Sequence, residues 1–495
     1  MTESTPESTP ESTSVTYNAS HSTSNTLHRK LNVRMLSMIA LGGSIGTGLF
    51  LASGNALHLA GPGGALLAYF LIGIMVYFLM TSLGEMAAYM PSSGSFYVYA
   101  STFVDPALGY ALGWNYWYNW AITVASEISA ASLIMSFWFP HGSPFIWNAL
   151  FLIIVVTVNS FTIRGFGTAE YWFSFIKISA VIVFILVGTA MIVGLIGHHT
   201  AGLSYWTIGD APFHGGWLTA FSAFMLAGYS FQGTELIGIA AGESHEPDKS
   251  IPKAVGQIFW RIVLFFILSL LVISILIPYT SPELAGSTVE LSPFTLIFKQ
   301  TGITFAASFM NAVILIAILS AGNSGMYAST RMLWYLGRKR HVPALFGKLT
   351  KHGVPIYALA ASTLVAMLAF LSSLYGNGVV YFWLVNASSL SGFIAWLGIA
   401  VSHYRFRKAY IIQGHDINDL PYIAKGYPYA PLLAFFLCLL IIGGQNISLL
   451  TAHHIDWSGL LVSYIGLPVF LVIWLGYKTI KKTKIVDLRH CQFSE

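Results

Sequence analysis

Residues Gly42-Gly43-Ser44-Ile45-Gly46-Thr47-Gly48 place four glycines within seven positions of an otherwise apolar stretch. Each glycine inside a helix costs roughly 1 kcal/mol against alanine, so a continuous helix is disfavoured here. Bilayer hydrocarbon supplies no water for loose backbone N–H and C=O groups. Irregular backbone therefore persists there only where it is buried in protein or lines a cavity. The composition says that this stretch does lie in a bilayer. Hydrophobic residues are 55% of the 495 residues and charged residues 9%, whereas a soluble domain carries about 25% charged residues. A broken membrane helix beside a cavity is a place to hold a polar solute. The pattern points to transport and excludes an ordinary soluble enzyme.

Twelve apolar segments can be counted, near 34–58, 63–90, 106–138, 144–163, 169–196, 216–241, 258–278, 302–334, 355–375, 380–402, 427–449 and 457–477. Several exceed the ~20 residues needed to span, which allows tilt but fixes no angle. Charge gives the orientation. With the amino terminus inside, the inner segments carry almost all the basic residues, from Arg29, Lys30 and Arg34 through Arg331, Arg338, Lys339 and Arg340 to Lys478, Lys481 and Lys482. Of the 24 basic residues 22 are assigned to the inner segments and the span ends beside them, only Lys299 falls outside, and Lys177 falls within a span. Such asymmetry satisfies the positive-inside rule for cytoplasmic termini and an even number of spans. The net charge of +5 therefore reflects topology and does not point to nucleic acid.

Residues 1–27 are a different material, repeating Glu-Ser-Thr with proline and then running through Ser, Thr and Asn. A segment so poor in apolar side chains cannot offset the entropy of ordering, and a disordered cytoplasmic tail is expected. It lacks the basic start and apolar centre of a cleavable signal. Residues 481–495 form a second expected cytoplasmic tail. Cys438 and Cys491 suggest no disulfide framework. His198-His199 and His453-His454 have no third ligand near in sequence, so no metal is expected. No cofactor motif and no nucleophile–base set can be assembled.

A second interruption, Phe231-Gln232-Gly233-Thr234-Glu235-Leu236-Ile237-Gly238, falls in the sixth segment. Breaks in the first and sixth spans suggest two five-helix halves, about 34–196 and 216–402, followed by two further helices at about 427–477. Corresponding breaks in two halves point to a midplane binding site in an inverted-repeat transporter.

Ionisable residues at membrane depth are costly and mark candidate sites. Glu127 shares a helical stripe with Tyr116 and Trp120, all within about 40° of one another. The stripe is either a pocket wall for a cation or a packing surface with one hydrogen-bonded acid. Lys177 lies between Ile176 and Ile178 and could titrate, sit beside backbone carbonyls as a tethered cation, or snorkel outward. Glu235 lies inside the second break, where it could accept a proton or a substrate ammonium, or cap the broken half-helix. Glu85 and Glu243, near inner span ends, read as interface contacts and gate salt bridges.

Several of these stretches also resemble a known family. Gly42 to Phe50, Gly84-Glu85-Met86-Ala87-Ala88-Tyr89-Met90-Pro91 and Gly233 to Gly238 resemble signatures of amino acid permeases in the amino acid–polyamine–organocation superfamily. Leu112 to Trp120, Phe231 to Ser244, Leu319 to Met332 and Gln413 to Tyr422 are similar to its lysine-carrying bacterial members. The likeness runs from about His28 to about Ile480, giving a permease domain of 28–480.

The resemblance implies an all-α integral membrane protein of 12 transmembrane helices. Its fold would be leucine-transporter-like, an inverted 5+5 repeat plus two helices with broken helices 1 and 6. It implies L-lysine uptake with protons across the bacterial inner membrane, with lipid as surroundings and any regulatory membrane partner unknown. The substrate carboxylate would meet N–H groups of Gly46, Thr47 and Gly48, and its α-ammonium carbonyls of Ser44, Tyr229 and Gln232. Phe231, Thr234 and Glu235 complete the second break. Lys177 matches a lysine whose ammonium replaces a sodium ion between spans one and eight, and Glu235 is a second candidate for proton coupling. Tyr229 stands where phenylalanine is expected. Exchange, another amino acid substrate, and a sensor with secondary transport remain rival readings.

Overall fold

The computed structural model describes residues 31, 33–160, 163–196, 203–285, 292–303, 305–445 and 464–493. The expected amino-terminal tail, Arg29, Lys30, His198, His199, His453 and His454 lie outside the described residues. Among the described residues there is no strand, only a single bridge pairing Leu31 with Ser244.

Helix α1 (Val33–Gly42) stops at the glycine pair, and a π-helical turn at Gly48–Ala52 leads into α2 (Ser53–Tyr89). Within α2 the helix is interrupted by a kink at Gly61, whose φ of 72° lies in the left-handed region that glycine alone adopts cheaply. Pro62 follows, and the N–H groups of Gly63 and Gly64 donate to the Pro212 carbonyl at 2.8 and 3.2 Å. After α3 (Ser95–Phe103) comes α4 (Pro106–Met135), whose first turn is capped by the Asp105 carboxylate accepting from Ala107 N–H at 2.9 Å. Next are α5 (Pro144–Asn159) and α6 (Ile163–Ile192).

The second half opens with α7 (Trp217–Phe231), a break, and α8 (Leu236–Ala240). It continues through α9 (Pro247–Gly256), α10 (Ile258–Arg261), α11 (Leu268–Leu276), α12 (Pro293–Gln300) and α13 (Ala306–Arg338). The remaining helices are α14 (Ile356–Ala366), α15 (Ser372–Tyr375), α16 (Asn377–Ile412), α17 (Tyr429–Gly444) and α18 (Gly466–Lys481). Each of the twelve apolar segments holds helix in its described part.

Among the described residues, five helical stretches are long and apolar enough to cross a membrane: Gly48–Tyr89, Gly167–Ile192, Ala306–Arg338, Ile356–Tyr375 and Asn377–Ile412. They present large apolar side chains outward, among them Phe70, Leu186, Phe309, Leu364 and Trp383. Exposed apolar surface on this scale marks a lipid-facing belt. Helix α4 differs, being buried on nearly every face. It packs between α13 and α16 and carries Asn115, Asn119, Ser126 and Glu127 into the interior. A helix buried all round need not be uniformly apolar if its polar groups find partners.

One end of the helix assembly is tied by charge. Arg407 of α16 grips Glu85 of α2, with Nε at 2.6 Å from one carboxylate oxygen, while Ala424 N–H donates to the other at 2.6 Å. Arg331 of α13 meets Glu243 at 2.7 Å. Residues after α18 fold back over the same face. Lys478 and Thr483 both bind the Asp105 carboxylate, at 2.6 and 2.8 Å. Val486 N–H donates to Val104 O at 2.9 Å, and the Phe493 ring packs on Phe103, Tyr410 and His415.

Candidate functional site

The two breaks meet backbone to backbone. After α7, Gln232 leaves the helix with ψ 148° and Gly233 takes φ 96°. A β-carbon on Gly233 would lie 2.5 Å from Gly43 O and 3.0 Å from Ser44 N. One on Gly48 would overlap the Ser230 backbone, and one on Gly46 would lie 2.7 Å from the Ala321 β-carbon. Glycine is therefore what lets the breaks approach each other and α13.

A small cavity lies at this junction, lined by Gly43, Ser44, Gly46 and Gly48 from the first break, Tyr229 and Gln232 from the second, Trp120, Thr123 and Glu127 from α4, and Ala321 from α13. Its volume is about 20 Å³, room for roughly one water. The Ser44 hydroxyl is buried beside it with no hydrogen-bond partner.

Its polar centre is the Glu127 carboxylate. Thr47 Oγ1 donates to it at 2.9 Å and Thr47 N–H at 3.4 Å. The Tyr229 hydroxyl donates to it at 3.3 Å and lies 2.7 Å from Ser126 Oγ and 3.1 Å from Thr47 Oγ1. A carboxylate is thus seated at the amino end of the helix that resumes at Gly48, where partial positive charge and backbone N–H groups favour an anion. Tyr229 is no neutral replacement for phenylalanine, since its hydroxyl joins three polar groups. A second network links the other break to α4 and α16. Gln232 Nε2 donates to Ser388 O at 3.1 Å, and Ser388 Oγ donates to Gln232 Oε1 at 3.1 Å and Asn119 Oδ1 at 2.9 Å.

Of the residues singled out in the sequence, Ser44, Gly46, Gly48, Trp120, Glu127, Tyr229 and Gln232 line one cavity, and Thr47 is bonded to its acid. The others lie away from it. Phe231 packs on Phe266 and Tyr69, with centroids 4.2 and 6.0 Å apart. Thr234 Oγ1 returns a hydrogen bond to Phe231 O at 3.0 Å. The Glu235 carboxylate accepts from Gly233 N–H at 3.1 and 3.2 Å and from Trp396 Nε1 at 3.4 Å, so it caps its own break. Tyr116 leans on Phe96, 4.4 Å between centroids.

Lys177 is wholly buried and forms an ion pair with Glu170 at 3.5 Å. Sequence reasoning missed Glu170, although seven residues on a helix return to within about 20° of the same face. It also missed Asn119, Thr123, Ser126 and Ser388, polar residues common enough in membrane helices to pass unnoticed.

Comparison with known proteins bears on what this site serves. The family model described as amino acid permease matches residues 35–490. The chain belongs to the amino acid permeases. These are transporters and not enzymes, and the chain is a multi-pass membrane protein. It is 57% identical over 473 residues to the lysine-specific permease LysP of Escherichia coli (strain K12), covering 95% of this chain and 97% of that one. It is 50% identical to the lysine-specific permease LysP of Lactococcus lactis, covering 94% and 92%. The histidine permease HisP of the same organism is 47% identical over 473 residues, covering 95% and 98%. In this permease the Thr47 hydroxyl is bonded to a carboxylate, a bond of roughly 1.5–3 kcal/mol. The Ser53 hydroxyl, six residues later, only returns to Leu49 O at 2.5 Å. Thr47→Val is therefore expected to weaken amino acid binding about tenfold or more, and Ser53→Ala to leave it nearly unchanged. Calorimetric affinities that shift equally would remove the first break from the site.

Proposed function

We propose that this permease imports L-lysine across the bacterial inner membrane together with protons, by alternating access. The observation that carries the reading is the meeting of two helix breaks at one buried cavity, with the Glu127 carboxylate bonded to the first of them. Identity of 57% and 50% to two lysine-specific permeases, over nearly all of each chain, supports lysine as the substrate.

In this reading 12 spans form a leucine-transporter-like fold, with α1 and α7–α8 as the broken helices 1 and 6. The permease domain is 28–480, with repeats at about 34–196 and 216–402 and two extra helices at about 427–477. Both termini face the cytoplasm, as the bias of basic residues toward inner segments supports.

The substrate carboxylate sits on the N–H groups of Gly46, Thr47 and Gly48. Its α-ammonium meets the carbonyls of Ser44, Tyr229 and Gln232. Trp120 and Tyr116 supply aromatic faces for the side-chain ammonium, and Glu127 or Glu235 the counter-charge, because an unpaired charge in a closed pocket is costly. Phe231 and Thr234 shape the second break. Lys177, with Glu235 as second candidate, carries the coupling proton. A cavity of about 20 Å³ is far too small for an amino acid, so the breaks and α4 must part to admit one. That requirement supports alternating access.

Radiolabelled uptake into liposomes under an imposed inward proton gradient tests the substrate. Lysine is expected to be accumulated without sodium and to be outcompeted by no other amino acid. Preferential accumulation of histidine or of a neutral amino acid would overturn lysine as the substrate.

A further inference from the structure

Helix α6 carries a buried acid that lies outside the cavity. Glu170 and Lys177 are both fully buried, with Nζ to Oε1 at 3.5 Å. The geometry follows from their spacing. Seven residues bring both side chains to one helix face, and the Cα–Cβ bond tilts toward the helix amino end, so the lysine reaches back toward the acid.

The acid is in turn held from another helix. Ser320 Oγ of α13 donates to its two oxygens at 2.9 and 3.0 Å. The next residue on α13 is Ala321, which lines the cavity. Between the two charges on α6, Ser174 Oγ donates to Met38 O of α1 at 3.0 Å. Glu127 lies within electrostatic reach of Lys177 on the cavity side. A single helix face thus touches α1 and α13 and places a charge within electrostatic reach of the acid of the site.

We propose that Glu170 is a positioning residue for Lys177, holding the ammonium in register between α6 and α13 and locking those two helices together until the Lys177 proton leaves. The inference rests on Lys177 being the coupling residue. With Nζ protonated, the pair is neutral overall and the single Ser320 O–H is shared between the two carboxylate oxygens. When Nζ gives its proton to water on the inner side, the pair becomes a net anion supported by a hydroxyl. Breaking one partner of a buried ion pair is strongly unfavourable. Glu170 must then reach water or a new donor, which parting α6 from α13 provides. One local charge change thereby biases a two-state packing.

The test uses full-length protein in liposomes and compares Glu170→Gln, Glu170→Asp and the double variant Glu170→Gln/Lys177→Met. Three quantities are read: proton-driven lysine accumulation, lysine–lysine exchange without a gradient, and melting temperature in detergent. Glu170→Gln is expected to lose accumulation by about tenfold or more while exchange falls far less, and Glu170→Asp to recover part of the accumulation. The double variant is expected to melt above Glu170→Gln, since no lone charge remains, yet not to accumulate lysine. Accumulation and exchange falling in parallel would make Glu170 merely structural. A double variant no more stable than the single one, or Glu170→Gln accumulating as the parent does, would also overturn the proposal. If the parent itself accumulates no lysine under a proton gradient, the symport reading fails. The ion pair is then still judged by the melting temperatures.

Discussion

Lys177→Ala is expected to collapse the lysine accumulation ratio under an inward proton gradient to about one, because uphill transport requires coupling between proton and substrate. Exchange across the same membrane should persist, since the cavity residues are untouched. Lys177→Arg should also fail to couple. Its guanidinium keeps its charge throughout, and its planar fork cannot copy an ammonium beside Glu170. The buried setting supports this outcome, because a charge with no access to solvent contributes nothing to solubility. Accumulation by Lys177→Ala at the parental ratio would make the lysine structural. The proton would then be sought at Glu127, which holds the first break, or at Glu235, which caps the second.

Gly233→Ala is the second large effect. The residue sits at φ 96° with Gly43 O and Ser44 N where a β-carbon would go. The left-handed conformation alone costs a non-glycine residue about 1–2 kcal/mol. The contact atoms are backbone, which cannot swing aside as a side chain would. The two breaks must therefore separate, and transport should fall by about tenfold or more. Gly256→Ala in α9 is the control, because nothing lies within 4 Å of its added β-carbon. Initial uptake rates at matched membrane levels make the comparison. Equal rates for the two variants would mean that the breaks need not touch during transport.

Much of this site is legible in the sequence because it violates its surroundings. Four glycines near Ser44 and the polar run near Glu235 stand out against apolar helix, and so does Lys177. Their meeting is not legible. It depends on Gly48 lying against Ser230 and Gly233 against Gly43, contacts between residues more than 180 positions apart. Phe231 belongs by sequence to the second break, yet it is still the last residue of α7, and the helical phase turns it toward Tyr69. Glu170 sits at the first turn of an apolar run, where an acid reads as a boundary, so its pairing two turns on passes unseen. The short helices α3, α9 and α12 lie between spans and lack the length or apolar run that would distinguish them from loops. Residues 482–493 look like a charged tail. Their docking depends on Asp105, which serves at once as cap for α4 and as anchor for Lys478.

The most direct test of the central claim measures protons and not lysine. Purified permease is placed in sodium-free liposomes holding an interior pH dye and no amino acid, with no gradient imposed. Adding lysine outside is expected to acidify the interior, and adding leucine is not. Lysine entry without acidification, or entry only when the liposomes are preloaded with amino acid, would contradict proton symport and establish exchange or uniport in its place.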